Sequence, residues 1–493
     1  MKTISLSKSR YLNGLQCPKM LWLFDHNREL WDENVMNERI LDEGNKVGFL
    51  AQQYFNTDTV IKYNINKSVM IIETKEALKI NNTVLAEASF SYNNNFCSVD
   101  ILHVYDGYVE ITEVKSSTEL KDLYLDDVAY QYYVLAGEGL NVKKVSVMYI
   151  NNQYERKGEL NLKELFTIQD CTLKVQKMQK SIAENIDRIR KYLICEPVQD
   201  IGLQCDNPYE CGFKKHCWKH IPEYSVFNIA RLKNTKKFEY YQRGIITLEQ
   251  VFNSDIPLNN KQIKQVQTEF NKLPPSIHQK EIRSFLNTLS YPIYFLDFET
   301  FQTAVPPYDN IRPYMQIPFQ YSLHILDKKG GNLTHSEFLA KEGTDPRQPL
   351  ATSLCRDIPK QACVVAYNMV FEKGVIKKLA ELFPDLSDHL MEMHDSMRDL
   401  MKPFQAHAYY RREFAGSYSI KAVLPALYPD DPELHYSNLE DIKNASEAMD
   451  AFPTLHNRAP VEIEKIRKAL LAYCKLDTLG MVKILSFLED LVN

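Results

Sequence analysis

The stretch Phe96–Lys115, FCSVDILHVYDGYVEITEVK, decides how the first half of the chain folds. Two runs rich in β-branched and aromatic residues flank Asp106-Gly107, a strong signal for a two-residue hairpin turn. A tight turn sets Tyr105 opposite Tyr108 and fixes the register outward from there. Val104 then faces Val109, Leu102 faces Ile111, and Asp100 faces Glu113. Side chains alternate along a strand, so Lys115 joins Glu113 on the side of Asp100. Two carboxylates in opposition repel one another. A divalent cation between them removes the conflict, and oxygen donors of this kind suit Mg²⁺ or Mn²⁺. A lysine two residues on can orient a water or stabilise charge developing on phosphorus. In outline this is a phosphodiester-cleaving site; the plain alternative is a hairpin with solvated acidic edges, because short motifs match often by chance.

The chain has 493 residues, more than one ordinary domain requires. Hydrophobic residues make up 44% and charged residues 25%, a globular composition. The formal net charge of −5 gives no chain-wide basic field, so a nucleic-acid partner has to be held by a local patch, by metal, or by both. The N-terminus MKTISLSKSR is polar and does not read as a signal peptide. No run approaches the ~18 apolar residues of a membrane span. Ten cysteines without a secretory signal point to a reducing cytoplasm, where clustered cysteines hold metal more often than they pair.

Leu6–Phe24 reads as a helix in two parts jointed at Cys17-Pro18, and Glu38–Phe55 as a second helix containing Gly44 and Gly48. That glycine spacing is expected to bare one helix face for close approach of another backbone. Short strands are expected after Val69, then the hairpin, then a helix over Leu125–Leu140 carrying Gln131. A strand near Val142–Ile150 and a long helix over Leu173–Leu193 follow. Next comes Cys205-DNPYE-Cys211-GFKKH-Cys217, three soft ligands in thirteen residues. A four-ligand site needs one more: Cys17, about 190 residues upstream, is the first candidate and Cys195 the reserve. Thiolate-only ligation fits a [4Fe–4S] cluster or Zn²⁺, and the long spacings, unlike tight zinc knuckles, lean towards iron–sulfur.

The order Cys17, Gly44, Asp100, Glu113-x-Lys115, Gln131, Cys205/Cys211/Cys217 resembles the RecB-like PD-(D/E)XK nucleases with a four-iron cluster, the group of the CRISPR-associated exonucleases and the AddB nuclease domain. The resemblance implies a restriction-endonuclease-like fold over residues 1–222. It implies metal held by Asp100 and Glu113, Lys115 and Gln131 as further catalytic residues, and Cys17, Cys205, Cys211 and Cys217 on the cluster. One departure stands out: the family's histidine four residues after the first-motif glycine is here Gly48, which leaves Glu43 as a possible substitute ligand.

Residues 223–290 read as a helical connector with breaks at Arg243-Gly244 and Pro274-Pro275. Over Phe227–Leu289, Lys and Arg (231, 233, 236, 237, 243, 261, 264, 272, 280, 283) outnumber Asp and Glu (239, 249, 255, 269, 281) two to one. The pattern FEYYQRGIITLEQV then LNNKQIKQV is similar to helical hairpins that grip phosphate backbones through loop amides; a solvated linker is the plain alternative.

The strand PIYFLDFETF (292–301) carries Asp297 and Glu299 two apart, hence on one face. Further strands are expected at Phe319–Leu326 and Cys363–Tyr367, then a helix from Asn368 to Phe383 bearing Glu372, an acidic pair at Asp395 and Asp399, and a helix over Lys465–Leu488 with Tyr473 and Asp477 at i and i+4. Asp297, Glu299, Glu372, Tyr473 and Asp477 resemble the site of the DnaQ-type 3′–5′ exonucleases, in the variant with tyrosine four before the last aspartate. This implies an RNase H-like fold over 291–493 and two divalent metals on the four carboxylates, with Tyr473 positioning the attacking water. Glu372 stands where that pattern has Asp.

As a whole the chain resembles a bacterial family fusing these two modules, through CPKMLWLF, EVKSST, PYECGFKKHCW, FLDFETF and GSYSIKAVLP. The expectation is an α/β protein of two nuclease domains and a basic connector, cleaving nucleic acid with Mg²⁺ or Mn²⁺. DNA is favoured over RNA, single-stranded ends in repair, recombination or defence being the leading substrate, in the cytoplasm with no membrane partner. The alternatives are an RNA-processing exonuclease and a non-catalytic nucleic-acid-binding protein.

Overall fold

The structure, a computed structural model, describes residues 4–33 and 38–493, so Met1–Thr3 of the polar N-terminus lie outside the described residues. The chain forms two compact units, Met1–His220 with Thr303–Tyr314, and Ile221–Gln302 with Met315–Asn493. Both are mixed α/β. No described helix is long and apolar enough to cross a membrane.

In the first unit the elements run β1 (Leu6–Ser7), α1 (Lys8–Gln16), α2 (Pro18–His26), α3 (Glu38–Tyr54), β2 (Thr59–Val60), α4 (Lys67–Ala77), β3 (Thr83–Tyr92), β4 (Asn95–Tyr105), β5 (Tyr108–Lys115), α5 (Asp122–Gly137), β6 (Val142–Ile150), α6 (Leu162–Leu165), β7 (Phe166–Asp170), α7 (Thr172–Tyr192) and α8 (Lys214–Cys217). The seven strands order β2-β3-β4-β5-β6-β7, with β1 adding in parallel to β4. The hairpin register is the one expected near the turn, with Tyr105 pairing Tyr108, Val104 pairing Val109, Leu102 pairing Ile111 and Gly107 at φ 76°, but the expected pair of Asp100 with Glu113 is not part of the ladder. The ladder ends at Ile101–Thr112. Asp100 therefore leaves the pairing and accepts the Val114 N–H at 2.7 Å. A second hairpin joins β3 to β4 through Asn93 and Asn94, both at positive φ, as a tight right-twisted connection requires.

Helix α7 buries Val175, Ile182, Ile186 and Ile189 on one stripe, each side chain contributing roughly 1.5–3 kcal/mol. They pack with Val99, Leu102, Ile111, Val128 and Val145 into the main core. Gly137, at the end of α5, faces the Tyr92 ring so closely that a Cβ there would sit 2.2 Å from a ring carbon. Gly137→Ala is expected to lower stability by about 1–3 kcal/mol through overpacking; an unchanged urea midpoint would refute this.

Three expectations are corrected here. Lys67–Ala77 is a helix rather than short strands, begun by Asn66, whose side chain accepts the Ser68 N–H. Gly44 and Gly48 bring no backbone close: a Cβ on either would meet nothing within 4 Å, because that face of α3 lies open. Residues 303–314 fall within the expected C-terminal domain, 291–493. They belong to the first unit, where Ala304 and Val305 join a core with Val47, Ala51, Met148 and Ile150.

The second unit opens with α9 (Asn234–Gln242), α10 (Leu248–Phe252) and α11 (Asn260–Phe270). Thr247–Gln250 and Asn259–Gln262 close capping boxes on α10 and α11. Val226, Tyr240, Leu248, Val251 and Val266 give these helices a core of their own, so residues 223–290 are packed structure within this unit rather than a separate linker. Then come β8 (Ser276–Ile277), α12 (Gln279–Leu286), β9 (Ile293–Phe301), β10 (Ile317–Leu326), β11 (Leu333–Leu339), α13 (Arg347–Asp357), β12 (Cys363–Ala366), α14 (Val370–Leu382), α15 (Pro384–Ser396), β13 (Arg398–Asp399), α16 (Lys402–Gln405), β14 (Tyr409–Tyr410), α17 (Ile420–Leu427), α18 (Ala445–Ala451) and α19 (Pro460–Asp490).

Five strands order β11-β10-β9-β12-β13, with β9 in the centre. Strand β10 is antiparallel to its neighbours, and β12 and β13 run parallel to β9. Alternation along β9 sends Tyr294, Leu296 and Phe298 into a core with Leu350, Val364, Ile376 and Leu390. Against the other face lies α19: Gln320 Nε2 donates to the Leu470 carbonyl at 2.8 Å, and Thr478 Oγ1 bonds Ser322 Oγ at 2.7 Å and His324 Nδ1 at 2.8 Å. Asp297 and Glu299 are thereby set towards the C-terminal helix.

Candidate active sites

In the first unit, Glu113, Lys115 and Gln131 meet, and Asp100 lies beside them. Gln131 Nε2 donates to Glu113 Oε2 at 2.6 Å and to Asp127 Oδ1 at 2.9 Å. Lys115 Nζ bonds Glu113 Oε1 at 2.7 Å and Asp127 Oδ2 at 2.6 Å. Asp127 lies one helical turn before Gln131 on α5, a same-face spacing that could have announced it. Lys8 is the surprise: its Nζ is 2.8 Å from Glu113 Oε1 and 3.4 Å from Asp127 Oδ1. Burial and the Asp100 charge push the Glu113 carboxyl up, but Lys115 and Lys8 more than reverse this and hold it below the ordinary value. Burial opposes the charge on Lys8 as well, yet Asp127, Glu113 and Asp100 together raise its ammonium well above the usual lysine value.

Across from Asp100 stands Glu87, skipped in the β3–β4 ladder between Ala86–Ile101 and Ala88–Val99 and held at φ 58°. Burial, then the Asp100 charge, pushes Glu87 up to about 7. Gly48 offers no side chain, and Glu43 Oε2 instead accepts the Ala304 N–H at 2.7 Å. With every Glu113 and Asp127 oxygen already bonded to ammonium or amide, the residues present do not fit a divalent cation as they stand.

The four cysteines singled out in the sequence line one cavity: Cys17 from the joint of α1 and α2, Cys205 and Cys211 from the loop after α7, and Cys217 from α8. Cys195 is exposed and lies outside it. Cys211 N–H donates to the Cys205 carbonyl at 2.9 Å, and Met20, Leu23 and Phe213 form the apolar wall. Burial raises the thiols of Cys17 and Cys217 and pushes Cys211 up to about 12. Four thiols converging from distant segments, Cys205 and Cys211 buried and Cys17 and Cys217 half-buried, fit a thiophilic metal group that would replace their protons.

In the second unit five acidic side chains converge. Asp297 and Glu299 come from the central strand, Glu372 from the first turn of α14, Asp477 from the middle of α19, and Asp399 from β13. Glu299, Glu372, Asp477 and Asp399 are all buried. Asp399 Oδ1 is occupied by the Asn368 and Met401 N–H groups at 2.9 and 3.0 Å, so it props the loop that starts α14. Asp395 is on the surface against His394 and plays no part.

The electrostatics are those of crowded, buried carboxylates, with the Lys421 charge acting on Glu299 and Asp477. Burial first, then Asp477, Glu299 and Glu372, raise Asp297 well above the carboxylate range, and burial with Asp477 does the same to Glu299. Burial, with Asp399 and Asp477 adding to it, pushes Glu372 up to about 8. Asp477 is pushed up to about 6 by burial, restrained by Tyr436 and Lys421. Glu372 Oε2 is buried with no hydrogen-bond partner. An orphaned buried carboxylate oxygen among three further acids fits divalent metal.

Around this cluster stand residues that sequence reasoning missed. Tyr436 donates its hydroxyl to Asp477 Oδ1 at 2.6 Å, and Lys421 Nζ donates to the Tyr473 hydroxyl at 3.0 Å. Cys474 is buried with its sulfur 3.5 Å from Asp297 Oδ2, and the donor atoms of Asp297, Glu299 and Cys474 all lie within 4.8 Å of one another. Lys421 sits inside GSYSIKAVLP, a stretch that stood out only as a pattern; nothing local marks Tyr436.

The raised carboxyls predict a pH-dependent metal response. A raised folded-state pKa leaves stability intact below the unfolded value near 4 and erodes it as pH climbs through about 6 for Asp477 and about 8 for Glu372. Saturating Mn²⁺ is therefore expected to raise the melting temperature of this unit by roughly 5 °C at pH 8 and much less at pH 5. Equal shifts at both pH values in a melting scan would sink this.

Residues 294–419 match the model of a domain of unknown function, DUF2779. The match takes in Asp297, Glu299, Glu372 and Asp399 and stops short of Lys421, Tyr473 and Asp477. The chain is also similar to an uncharacterized protein of Ureaplasma parvum serovar 3, UU173, at 23% identity over 238 residues, 44% of this chain. The chain covers 34% of that relative's length.

Proposed function

We propose that the chain is a metal-dependent nuclease whose hydrolytic centre lies in the second unit. The observation that carries this is the convergence of Asp297, Glu299, Glu372 and Asp477 from one strand and two helices, buried together with an unpartnered oxygen on Glu372. Divalent Mg²⁺ or Mn²⁺ on these four would supply the charge that stabilises a phosphodiester transition state and activate a water. The protein's own part is positional. Tyr436 fixes the rotamer of Asp477, and Lys421 holds the Tyr473 hydroxyl where it can orient a water beside the carboxylates. The central-strand placement of Asp297 and Glu299 supports an RNase H-like reading, with 3′–5′ removal of nucleotides as the chemistry.

Helices α9–α12 are the surface for the strand. Arg231, Lys233, Lys236, Arg243, Lys261, Lys272, Lys280 and Arg283 are exposed, which suits a phosphate backbone. Single-stranded DNA is the substrate favoured. In the first unit, the four thiols support a [4Fe–4S] cluster over zinc. The spacings of Cys205-x5-Cys211-x5-Cys217 are longer than those of tight zinc knuckles. Ten free cysteines suit the cytoplasm.

The test is incubation of the full chain with 5′-labelled single strands and Mn²⁺ against an EDTA control. Metal-dependent shortening by single nucleotides is expected; intact strands under every metal tried would leave a binding protein instead.

A further inference from the structure

We infer that Lys8 is the resident counter-ion of the first unit's acidic site, standing where a divalent cation would otherwise sit, so that this site is kept metal-free by the chain itself.

The geometry is specific. Glu113 Oε1 receives two ammonium groups, Lys8 at 2.8 Å and Lys115 at 2.7 Å, and Oε2 receives Gln131 at 2.6 Å. Asp127 is saturated in the same way, by Lys115 at 2.6 Å, Gln131 at 2.9 Å and Lys8 at 3.4 Å. An Asp100 oxygen is taken by the Val114 N–H. Mg²⁺ needs oxygens at 2.0–2.1 Å in a near-octahedral shell. At Glu113 Oε1 that shell would have to expel an ammonium group.

Lys8 is also held there by the fold rather than by chance. It opens α1, directly after Leu6 and Ser7 pair with Asn95 and Phe96 of β4. Tyr130 donates its hydroxyl to the Leu6 carbonyl at 2.8 Å, and the Tyr11 ring stacks on Tyr130 at 4.6 Å. A cation in the first turn of a helix opposes the helix dipole. The carboxylates across the sheet therefore account for a lysine at this place, and the helix does not. The neighbouring positions agree: Gly48 offers no ligand, and Glu43 is committed to the Ala304 N–H.

The experiment counts Mn²⁺ by the electron-spin signal of the free ion, which hard-ligand sites quench and the cysteine cavity does not. The full chain carrying Asp297→Ala and Asp477→Ala removes the second site from the count. On that background no Mn²⁺ is expected to bind at stoichiometric levels. Lys8→Ala and Lys8→Gln are each expected to gain about one equivalent, at least about tenfold tighter than Lys8→Arg, and adding Asp100→Ala is expected to remove it again. One equivalent bound with Lys8 in place and lost with Asp100→Ala would overturn the inference. So would no gain in either Lys8 variant when its melting curve matches the background. Should both melt earlier, Mn²⁺ must restore their midpoint, and failure to do so counts equally against it. Intact strands from the unmodified chain would undo the nuclease reading and leave this count unaffected.

Discussion

Asp297→Ala and Asp477→Ala are each expected to abolish stepwise release of mononucleotides from a 5′-labelled strand, a loss of at least about 10³-fold. The two residues come from opposite walls of the cluster, the central strand and the C-terminal helix, and neither is replaceable by a neighbour. Removing one carboxylate takes away a donor and leaves the remaining acids with a weaker hold on any cation. The same substitution relieves repulsion in the metal-free chain, because Asp297 is crowded by Asp477, Glu299 and Glu372. Loss of activity should thus come with an unchanged or higher melting temperature, which separates it from misfolding. A dead variant that also melts early would speak for a structural role alone.

Within the same cluster, Tyr473→Phe is expected to lower turnover and leave Mn²⁺ affinity intact, since the hydroxyl is bonded to Lys421. Glu372 carries the buried oxygen without a hydrogen-bond partner, which suits a metal ligand. Glu372→Asp should change the rate in one direction or the other. If Glu372→Asp and Glu372→Ala both digest the strand like the unmodified chain while Asp297→Ala is dead, Glu372 is no ligand and Asp399 is the next to replace.

What was legible in the sequence was whatever period and local turn chemistry dictate. The Asp106-Gly107 register near the turn and the joint at Cys17-Pro18 follow from turn and proline chemistry, and the strand bearing Asp297 and Glu299 and the shared face of Tyr473 and Asp477 from spacings of two and four residues. The four cysteines could be grouped because thiolate ligation has a small repertoire of counts. Contacts set by distant pieces of chain were not legible. Lys8 reaches Glu113 across 105 positions through a two-residue strand that no pattern announces. Residues 303–314 sit in a stretch that reads as a plain loop between two strands, yet Asp309 accepts the Gly158 N–H and Arg156 donates to the carbonyls of Pro306 and Pro307. The run Val69–Ile72 is apolar enough for a strand, and only the Asn66 cap and the tertiary site for Met70 and Thr74 decide for helix.

Cys211→Ser carries the other large effect. The unmodified chain, purified in air, is expected to be brown from thiolate-to-iron charge transfer, and Cys211→Ser is expected to be colourless and markedly less stable in its first unit. The reason is the span of chain that the cluster closes. Cys17 lies at the joint of the first two helices and the other three follow α7, so a group bound by all four cross-links segments about 190 residues apart. In the chain-entropy account a cross-link over a loop of that length is worth about 5 kcal/mol. The apolar wall of Met20, Leu23 and Phe213 stays in place but cannot substitute for the metal–thiolate bonds that are lost. The check is an absorption spectrum together with melting of the first unit. A colourless unmodified chain holding about one equivalent of zinc would overturn the iron assignment and keep the four ligands. A brown Cys211→Ser chain of unchanged stability would remove Cys211 from the ligand set.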